Sequence, residues 1–205
     1  MNFEEKNRKL IEELKREGIK DKKVLDAIKN IPRHLFVKKE HLDEAYGNYP
    51  LPIDHEATIS QPYTIAFMLE NLELKKGQKV LELGTGSGWN ASLIAYIIYP
   101  GKVYTTEINP ELVKFAKENI KKVKLKNIEV IQAKGIGYKT ASPYDRIIVT
   151  AASRDIPKEL IEQLKDNGVM LIPVGEYTQK VIKIKKIRDK IKTEDLGDFM
   201  FVPLK

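Results

Sequence analysis

From residue 62 onward the chain alternates short apolar runs with helical stretches, and this alternation narrows the fold more than any other feature. Lys79-Val80-Leu81-Glu82-Leu83, residues 102–107, Ile128-Glu129-Val130-Ile131, Arg146-Ile147-Ile148-Val149 and Val169-Met170-Leu171-Ile172 have the length and branching of strands. Residues 62–73, 88–98, 110–122 and 157–165 carry helical spacing around and between them. Strands this apolar have no wet face, so helices must cover both sides of a mainly parallel sheet. The expectation is a doubly wound, Rossmann-like α/β fold.

Additions flank this core. Leu10, Ile11 and Leu14 mark a helix over residues 3–17, and Val24, Leu25, Ile28 and Ile31 mark another over 21–31, which Pro32 ends. Residues 38–61, with Gly47, Pro50 and Pro52, show no period and predict an irregular surface segment. At the other end, Lys180–Ile187 and Phe199–Val202 have strand character with no helix between them, so an antiparallel addition at the sheet edge is expected. The chain divides into N-terminal helices and a loop (1–61), a core (62–175) and C-terminal strands (176–205) of a single domain.

Composition excludes several chemistries. Without cysteine there is no disulfide, thiolate site or sulfur nucleophile, and His34, His41 and His55 lack the helical spacing of a metal pair. No metal is expected. No apolar run reaches membrane-spanning length, and Met1-Asn2-Phe3-Glu4-Glu5-Lys6 is too charged for a secretory signal, which points to the cytoplasm with no membrane partner. Lysine and glutamate are abundant beside the missing cysteine, as in proteins of hot-growing organisms. The net charge of +7 raises the question of nucleic acid. The lysines, however, are interleaved with glutamates, and the densest basic stretch, Lys180–Lys192, alternates with Val181, Ile182, Ile184 and Ile187 as a half-buried strand does. No nucleic-acid partner is expected.

The strongest local signal is Glu82-Leu83-Gly84-Thr85-Gly86-Ser87-Gly88, which follows an apolar strand and opens a helix. Glycines let the main chain turn sharply and let a ligand approach it, and a helix start offers free N–H groups. Glu107 closes the next strand, where a carboxylate accepts from two ribose hydroxyls. A dinucleotide site prefers G-x-G-x-x-G, whereas Trp89 occupies the last of those positions here. The E-x-G-x-G-x-G form resembles the first motif of class I methyltransferases, whose cofactor is S-adenosylmethionine. Amino-group methyltransferases carry a Pro-Pro-aromatic motif after the fourth strand. The similar Ser142-Pro143-Tyr144-Asp145 comes before that strand, at the wrong end of the sheet.

Further segments sharpen the resemblance. Thr58-Ile59-Ser60-Gln61-Pro62 precedes the helix ahead of the glycine strand. Ile147-Ile148-Val149-Thr150-Ala151-Ala152 leads to Ile156-Pro157, Leu171-Ile172-Pro173-Val174-Gly175 ends the fifth strand, and Phe201-Val202-Pro203-Leu204 lies near the C-terminus. Pro32-Arg33 with Phe36-Val37, and Leu51-Pro52-Ile53, fit the same pattern. In this order the segments resemble the protein-L-isoaspartate O-methyltransferase family over nearly the whole chain. The resemblance implies methyl transfer from S-adenosylmethionine to the α-carboxylate of L-isoaspartyl residues in damaged proteins or peptides. It implies cofactor contacts from Glu82, Gly84, Thr85, Gly86, Ser87, Gly88, Glu107, Ile108, Lys134 and Gly135. It implies substrate contacts from Thr58, Ile59, Ser60, Gln61 and Val202, with Ser60 as the catalytic hydrogen-bond donor. A lone serine before a helix would otherwise be an N-cap.

Two departures stand out. The family's third strand is usually followed by Gly-Asp-Gly, whose acid accepts from the adenine amino group. Here Ala133-Lys134-Gly135 takes its place, and a charged lysine cannot accept. Before Thr58 the chain has Asp54-His55-Glu56-Ala57 where glycine is common. The rival readings are a nucleic-acid methyltransferase, against which the Thr58–Pro62 segment speaks, and a binding module that keeps only the fold.

Overall fold

The computed structural model describes residues 2–188 and 190–204. Helix α1 (Phe3–Arg16) begins where the Asn2 side chain accepts the Glu5 N–H, with Glu4 and Glu5 in its first turn and Lys15 and Arg16 in its last. Asp21 caps α2 (Lys22–Asn30) in the same manner. The aperiodic stretch that follows holds a 3-10 turn over Lys39–Glu44 and a two-rung antiparallel pair, β1 (Leu51–Pro52) with β2 (Thr58–Ile59). Helix α3 (Pro62–Asn71) carries proline in its first turn, where no N–H is needed.

The core follows the expected alternation of β3 (Lys79–Leu83), α4 (Trp89–Ile98), β4 (Lys102–Glu107), α5 (Pro110–Lys122), β5 (Ile128–Gln132), β6 (Tyr144–Val149), α6 (Lys158–Gln163) and β7 (Leu164–Val174). Two more strands, β8 (Gln179–Ile187) and β9 (Lys190–Phe199), complete a seven-stranded sheet in the order β5-β4-β3-β6-β7-β8-β9. Pairs from β5 to β7 are parallel, while β8 and β9 are antiparallel additions at one edge.

Successive strand residues face opposite sides. Val80, Val103, Ile148 and Leu171 join one core with residues from α1 to α5. Leu81, Leu83, Ile147, Val149, Met170 and Ile172 pack on the other face, where the helical cover is the short α6, through Leu160. The sheet is covered on both sides as expected, but unequally. Between β5 and β6 the chain supplies a 3-10 turn (Lys139–Ala141) in place of a helix.

Two boundaries differ from the sequence reading. The helix expected over 157–165 stops at Gln163, because Leu164 is buried in the second core and pairs with Tyr144. The strand expected over Phe199–Val202 is instead Lys190–Phe199. Most of β9 is exposed on both faces, so no apolar period announces it. Beyond Phe199 the chain leaves the ladder. The Phe201 N–H goes to Gln179 Oε1 at 2.7 Å, the Val202 carbonyl accepts from Ala152 N–H at 2.8 Å, and Leu204 N–H returns to the Ala152 carbonyl at 2.8 Å. This crossing carries the tail over the carboxyl ends of the strands.

Candidate active site

A crevice of about 1160 Å³ opens above the carboxyl ends of β3, β4 and β6. From β3 the order runs outward to β4 and β5 on one side and to β6 and β7 on the other, so this is the point where the winding reverses. The glycine loop, the Thr58–Gln61 segment and the Asp198–Leu204 tail meet around the crevice.

The glycine loop is fixed from several sides. The Gly84 and Thr85 N–H groups donate to the Thr106 carbonyl, and the Thr150 hydroxyl reaches the Leu83 and Gly84 carbonyls at 2.9 Å each. Gly84 has a φ of 93°, and a Cβ there would lie 2.5 Å from Thr150 Oγ1. Only glycine satisfies both conditions. Gly84, Thr85, Gly86 and Ser87 line the crevice. Gly88 does not. It starts α4 at a φ of 84°, and a Cβ would press on Ile120 of α5 at 3.1 Å, so it serves close helix packing.

Glu107 lines the crevice at the end of β4, next to Ile108 and Asn109. Its Oε2 accepts the Gly86 N–H at 3.0 Å and its Oε1 accepts the Asn109 N–H at 3.2 Å. A carboxylate has about four acceptor directions, so two stay available for hydroxyl donors. Glu82 is different. It is wholly buried and lies beneath the lining. Asn90 Nδ2 donates to its Oε1 at 2.7 Å and Thr105 Oγ1 to its Oε2 at 2.5 Å. With the Thr105 hydrogen so used, the 2.7 Å contact between Thr105 and Thr85 requires Thr85 to donate. Burial pushes the Glu82 carboxyl up to about 7, against the lowering effect of these donors, and Glu107 adds to the rise. Asn90 also lines the crevice, and its buried Oδ1 has no protein partner.

Across the crevice, Thr58, Ile59, Ser60 and Gln61 all line the wall. Ser60 does not cap α3. The capping position is Gln61, whose side chain makes no capping bond. Gln61 is otherwise engaged, donating to the Asn48 carbonyl at 3.0 Å and accepting from Thr64 Oγ1 at 2.9 Å. The segment is held from behind by Arg33, which is 1% exposed. One of its terminal nitrogens donates to the Ala45 and Gly47 carbonyls, and the other to the carbonyls of Tyr49, Ile59 and Ser60, at 2.9–3.4 Å. Burial lowers its pKa to about 9. The guanidinium also sits 5.4 Å from the centroid of the Trp89 ring at the start of α4.

On the cofactor side of the reading, Gly135 lines the crevice and Lys134 does not. The Lys134 side chain is exposed, while Ala133, Gly135 and Ile136 form the wall. This stretch is clamped by buried Gln163, which accepts the Tyr138 N–H at 2.7 Å and donates to the Ile136 carbonyl at 3.3 Å. Val202 lies on the rim, as do Ile108, Tyr177 and Met200, the last two 93% and 91% exposed. His55, a surface residue in the sequence reading, also borders the crevice. Sequence reasoning gave no role to Arg33, Asn90, Thr105, Thr150 or Gln163. Only Pro32-Arg33 and Thr150 fell inside recognised segments.

The buried carboxyl makes a prediction. A carboxyl whose folded pKa is raised contributes most stability below its unfolded value of 4.5 and loses it as pH rises through the folded value near 7. Glu82→Gln removes this titration. Its thermal midpoint is expected to vary less than the parent's between about pH 5 and 8, with a relative gain of roughly 1–3 kcal/mol at the upper end. Parallel melting curves against pH for the two proteins would refute the assignment.

Comparison with known proteins agrees with this geometry. The model of the protein-L-isoaspartate(D-aspartate) O-methyltransferase family matches residues 5–205. A curated protein-L-isoaspartate O-methyltransferase of Dictyoglomus turgidum is 51% identical over 99% of this chain and 92% of its own length. One from Pyrococcus horikoshii is 48% identical over 98% and 93%. A solved chain described as a protein-L-isoaspartate O-methyltransferase superposes with a TM-score of 0.89 at 28% identity, over 97% of this chain and 66% of that one. A Plasmodium falciparum structure described as this type of enzyme, in complex with S-adenosyl-L-homocysteine, gives 0.85 at 30% identity over 97% and 98%. The chain belongs to the protein-L-isoaspartate(D-aspartate) O-methyltransferase family.

Proposed function

We propose that this protein transfers the methyl group of S-adenosylmethionine to the α-carboxylate of L-isoaspartyl residues in damaged proteins, which starts repair through a succinimide. The observation that carries the reading is the meeting, in one crevice, of the Thr58–Gln61 segment with the glycine loop and Glu107.

The residues present fit the cofactor. The buried acceptor Asn90 Oδ1, which no protein group satisfies, suits an ammonium donor. The spare acceptor directions of Glu107 suit the two ribose hydroxyls. Ala133, Gly135 and Ile136 offer a wall to the adenine, and the exposed Lys134 side chain lies outside it. When bound, the cofactor supplies a methyl group already activated on a sulfonium.

The protein's own task is placement. The substrate carboxylate is ionised at neutral pH, so no general base is needed. Ser60 is half-buried, and its hydroxyl has no protein partner among the described residues. It is free to donate to a carboxylate oxygen while Arg33 fixes the Ser60 main chain. Aligning oxygen, methyl carbon and sulfur in one crevice is what these residues contribute. The reading extends to a cytoplasmic protein from a hot-growing organism, supported by the charge pattern and the Lys/Glu-rich, cysteine-free composition. Methyl transfer from labelled cofactor to matched isoaspartyl and aspartyl peptides tests it. Labelling of the aspartyl peptide at an equal rate, or of neither, would overturn it.

Two substitutions test the roles. Glu107→Gln keeps the volume but leaves only one oxygen to accept. S-adenosylhomocysteine affinity by calorimetry should fall by about 1.5–3 kcal/mol, the range for hydrogen bonds to charged groups. An unchanged affinity would rule out the ribose role. Ser60→Ala should bind that ligand as the parent does, yet lose roughly one to two orders of magnitude in kcat/KM for the isoaspartyl peptide. Parent-like turnover would remove Ser60 from the mechanism.

A further inference from the structure

Gln163 does not line the crevice, yet the part of the wall formed by Ala133, Gly135 and Ile136 depends on it. Strand β5 ends at Gln132 and β6 begins at Tyr144, and between them the chain has one 3-10 turn, Lys139–Ala141. Residues 133–138 therefore have neither helix nor ladder to hold them. At the near end the Ala133 N–H donates to the Glu107 carbonyl at 2.8 Å. At the far end the Tyr144 hydroxyl donates to the Tyr138 carbonyl at 2.5 Å. Among the described residues, the other bonds to main-chain groups of this stretch both involve Gln163.

The Gln163 amide has one orientation that satisfies all its neighbours. Its Oε1 accepts the Tyr138 N–H at 2.7 Å, while Nε2 donates to the Ile136 carbonyl at 3.3 Å and to the Glu159 carbonyl of its own helix at 2.9 Å. Turned over, it would set its N–H groups against an N–H and its oxygen against two carbonyls. The residue is 2% exposed, ends α6 and is followed by Leu164, which is buried and pairs with Tyr144. Gly137 completes the fit. It has a φ of 78°, and a Cβ there would lie 2.4 Å from Nε2 and 2.6 Å from Oε1. A side chain at 137 would have to displace the amide.

We propose that Gln163 is a positioning residue for the cofactor, one that shapes the adenine wall from behind and so governs how tightly the nucleoside end binds. The inference rests on the adenine placement given under the proposed function. Strand register supports it. Gln132 pairs with Glu107, so the stretch begins beside the carboxylate assigned to the ribose, and the base is joined directly to that sugar. Without the amide, the Ile136 carbonyl and the Tyr138 N–H lose their partner, and residues 134–137 keep only the anchors at either end. Binding must then order the wall, which lowers affinity. The loss falls on the adenine alone. Asn90, held by Glu82, and Ser60, held by Arg33, are fixed by other elements.

Two substitutions and three ligands separate this role from a merely structural one. Gln163→Met is of similar size and removes the three bonds. Gly137→Ala displaces the amide from the other side and leaves Gln163 in the chain, so the test stands where Gln163→Met does not fold. By calorimetry, each should lower the affinity for S-adenosylhomocysteine and for adenosine roughly tenfold, the scale of one net hydrogen bond. Affinity for S-ribosylhomocysteine, which has no base, should keep its parent value. In methyl transfer to an isoaspartyl peptide, KM for S-adenosylmethionine should rise by the same factor, with kcat and the peptide KM unchanged. Parent-like affinity for S-adenosylhomocysteine in both variants would overturn the proposal. An equal loss for S-ribosylhomocysteine would overturn it as well, because the whole crevice would then have loosened. The adenine placement is checked separately, by irradiating the parent protein with S-adenosylhomocysteine that bears an azido group on its base. Label in the tryptic fragments of residues 127–134 or 135–139 supports the placement, and label elsewhere removes both it and the role of Gln163. A parent protein that binds the cofactor but leaves the isoaspartyl peptide unmethylated would overturn the proposed function, while the ligand affinities still decide the role of Gln163.

Discussion

The arrangement of the crevice depends on a buried cation that has no carboxylate partner among the described residues. Arg33 places its guanidinium among five main-chain carbonyls, two of which belong to Ile59 and Ser60. An unpaired buried charge is costly, and these carbonyls offset the loss of water only if all stay in place. The same cost makes the loop rigid, because a carbonyl that swings away leaves the cation less satisfied. Trp89 lies against the guanidinium and donates its Nε1–H to the Ile31 carbonyl at 3.2 Å. Trp89 also opens α4 directly after the glycine loop. The wall bearing Ser60 and the glycine loop are thus registered through one cation–ring contact. A lysine could not reproduce it, since a point charge lacks the fork that reaches both groups of carbonyls.

The charge distribution follows a matching logic. The chain has 36 lysines and arginines, yet among the described residues none lines the crevice. Glu107 lines it, Glu82 lies beneath, and the acceptor of Asn90 faces it. A cofactor that carries a sulfonium and an ammonium is attracted by such a wall. The substrate carboxylate would bind more tightly to a lysine than to Ser60. Negative charge on its oxygen falls as the methyl group moves, however, so a cation would favour the starting state over the transition state. In the role proposed for Ser60, a neutral hydroxyl positions the oxygen with less of that penalty. A described lining without lysine or arginine fits this chemistry.

Legibility in the sequence tracked the physical origin of each feature. The glycine loop was readable because left-handed φ values at Gly84, Gly86 and Gly88 and the close approach of Thr150 admit one residue type. The strands β3 and β6 and the second half of β7 were readable because burial on both faces leaves continuous apolar runs. Strand β9 was not, since an edge strand wet on both faces has no reason to alternate. Arg33 stood inside a recognised Pro-Arg pair, but its partners are main-chain carbonyls, which any residue supplies and no sequence encodes. Gly88 was assigned to ligand contact when its glycine is demanded by Ile120 on the neighbouring helix.

The same distinction accounts for Lys134. In the sequence it looked like a lost acceptor, because the family resemblance assigned that place to an acid. In the structure its side chain points to solvent, and the wall is made by neighbours whose position is set elsewhere. Gln163 at the end of α6 reaches the Ile136 carbonyl and the Tyr138 N–H, and the absence of a Cβ on Gly137 leaves space for its amide, which a Cβ would approach to 2.4 Å. This face of the sheet has little helical cover, so a side-chain clamp does what a helix between β5 and β6 would otherwise do. Ala133, Gly135 and Ile136 form the wall, and Gln163 holds the stretch they belong to. The side chain at position 134 has no place in that wall, so a lysine there does not obstruct it.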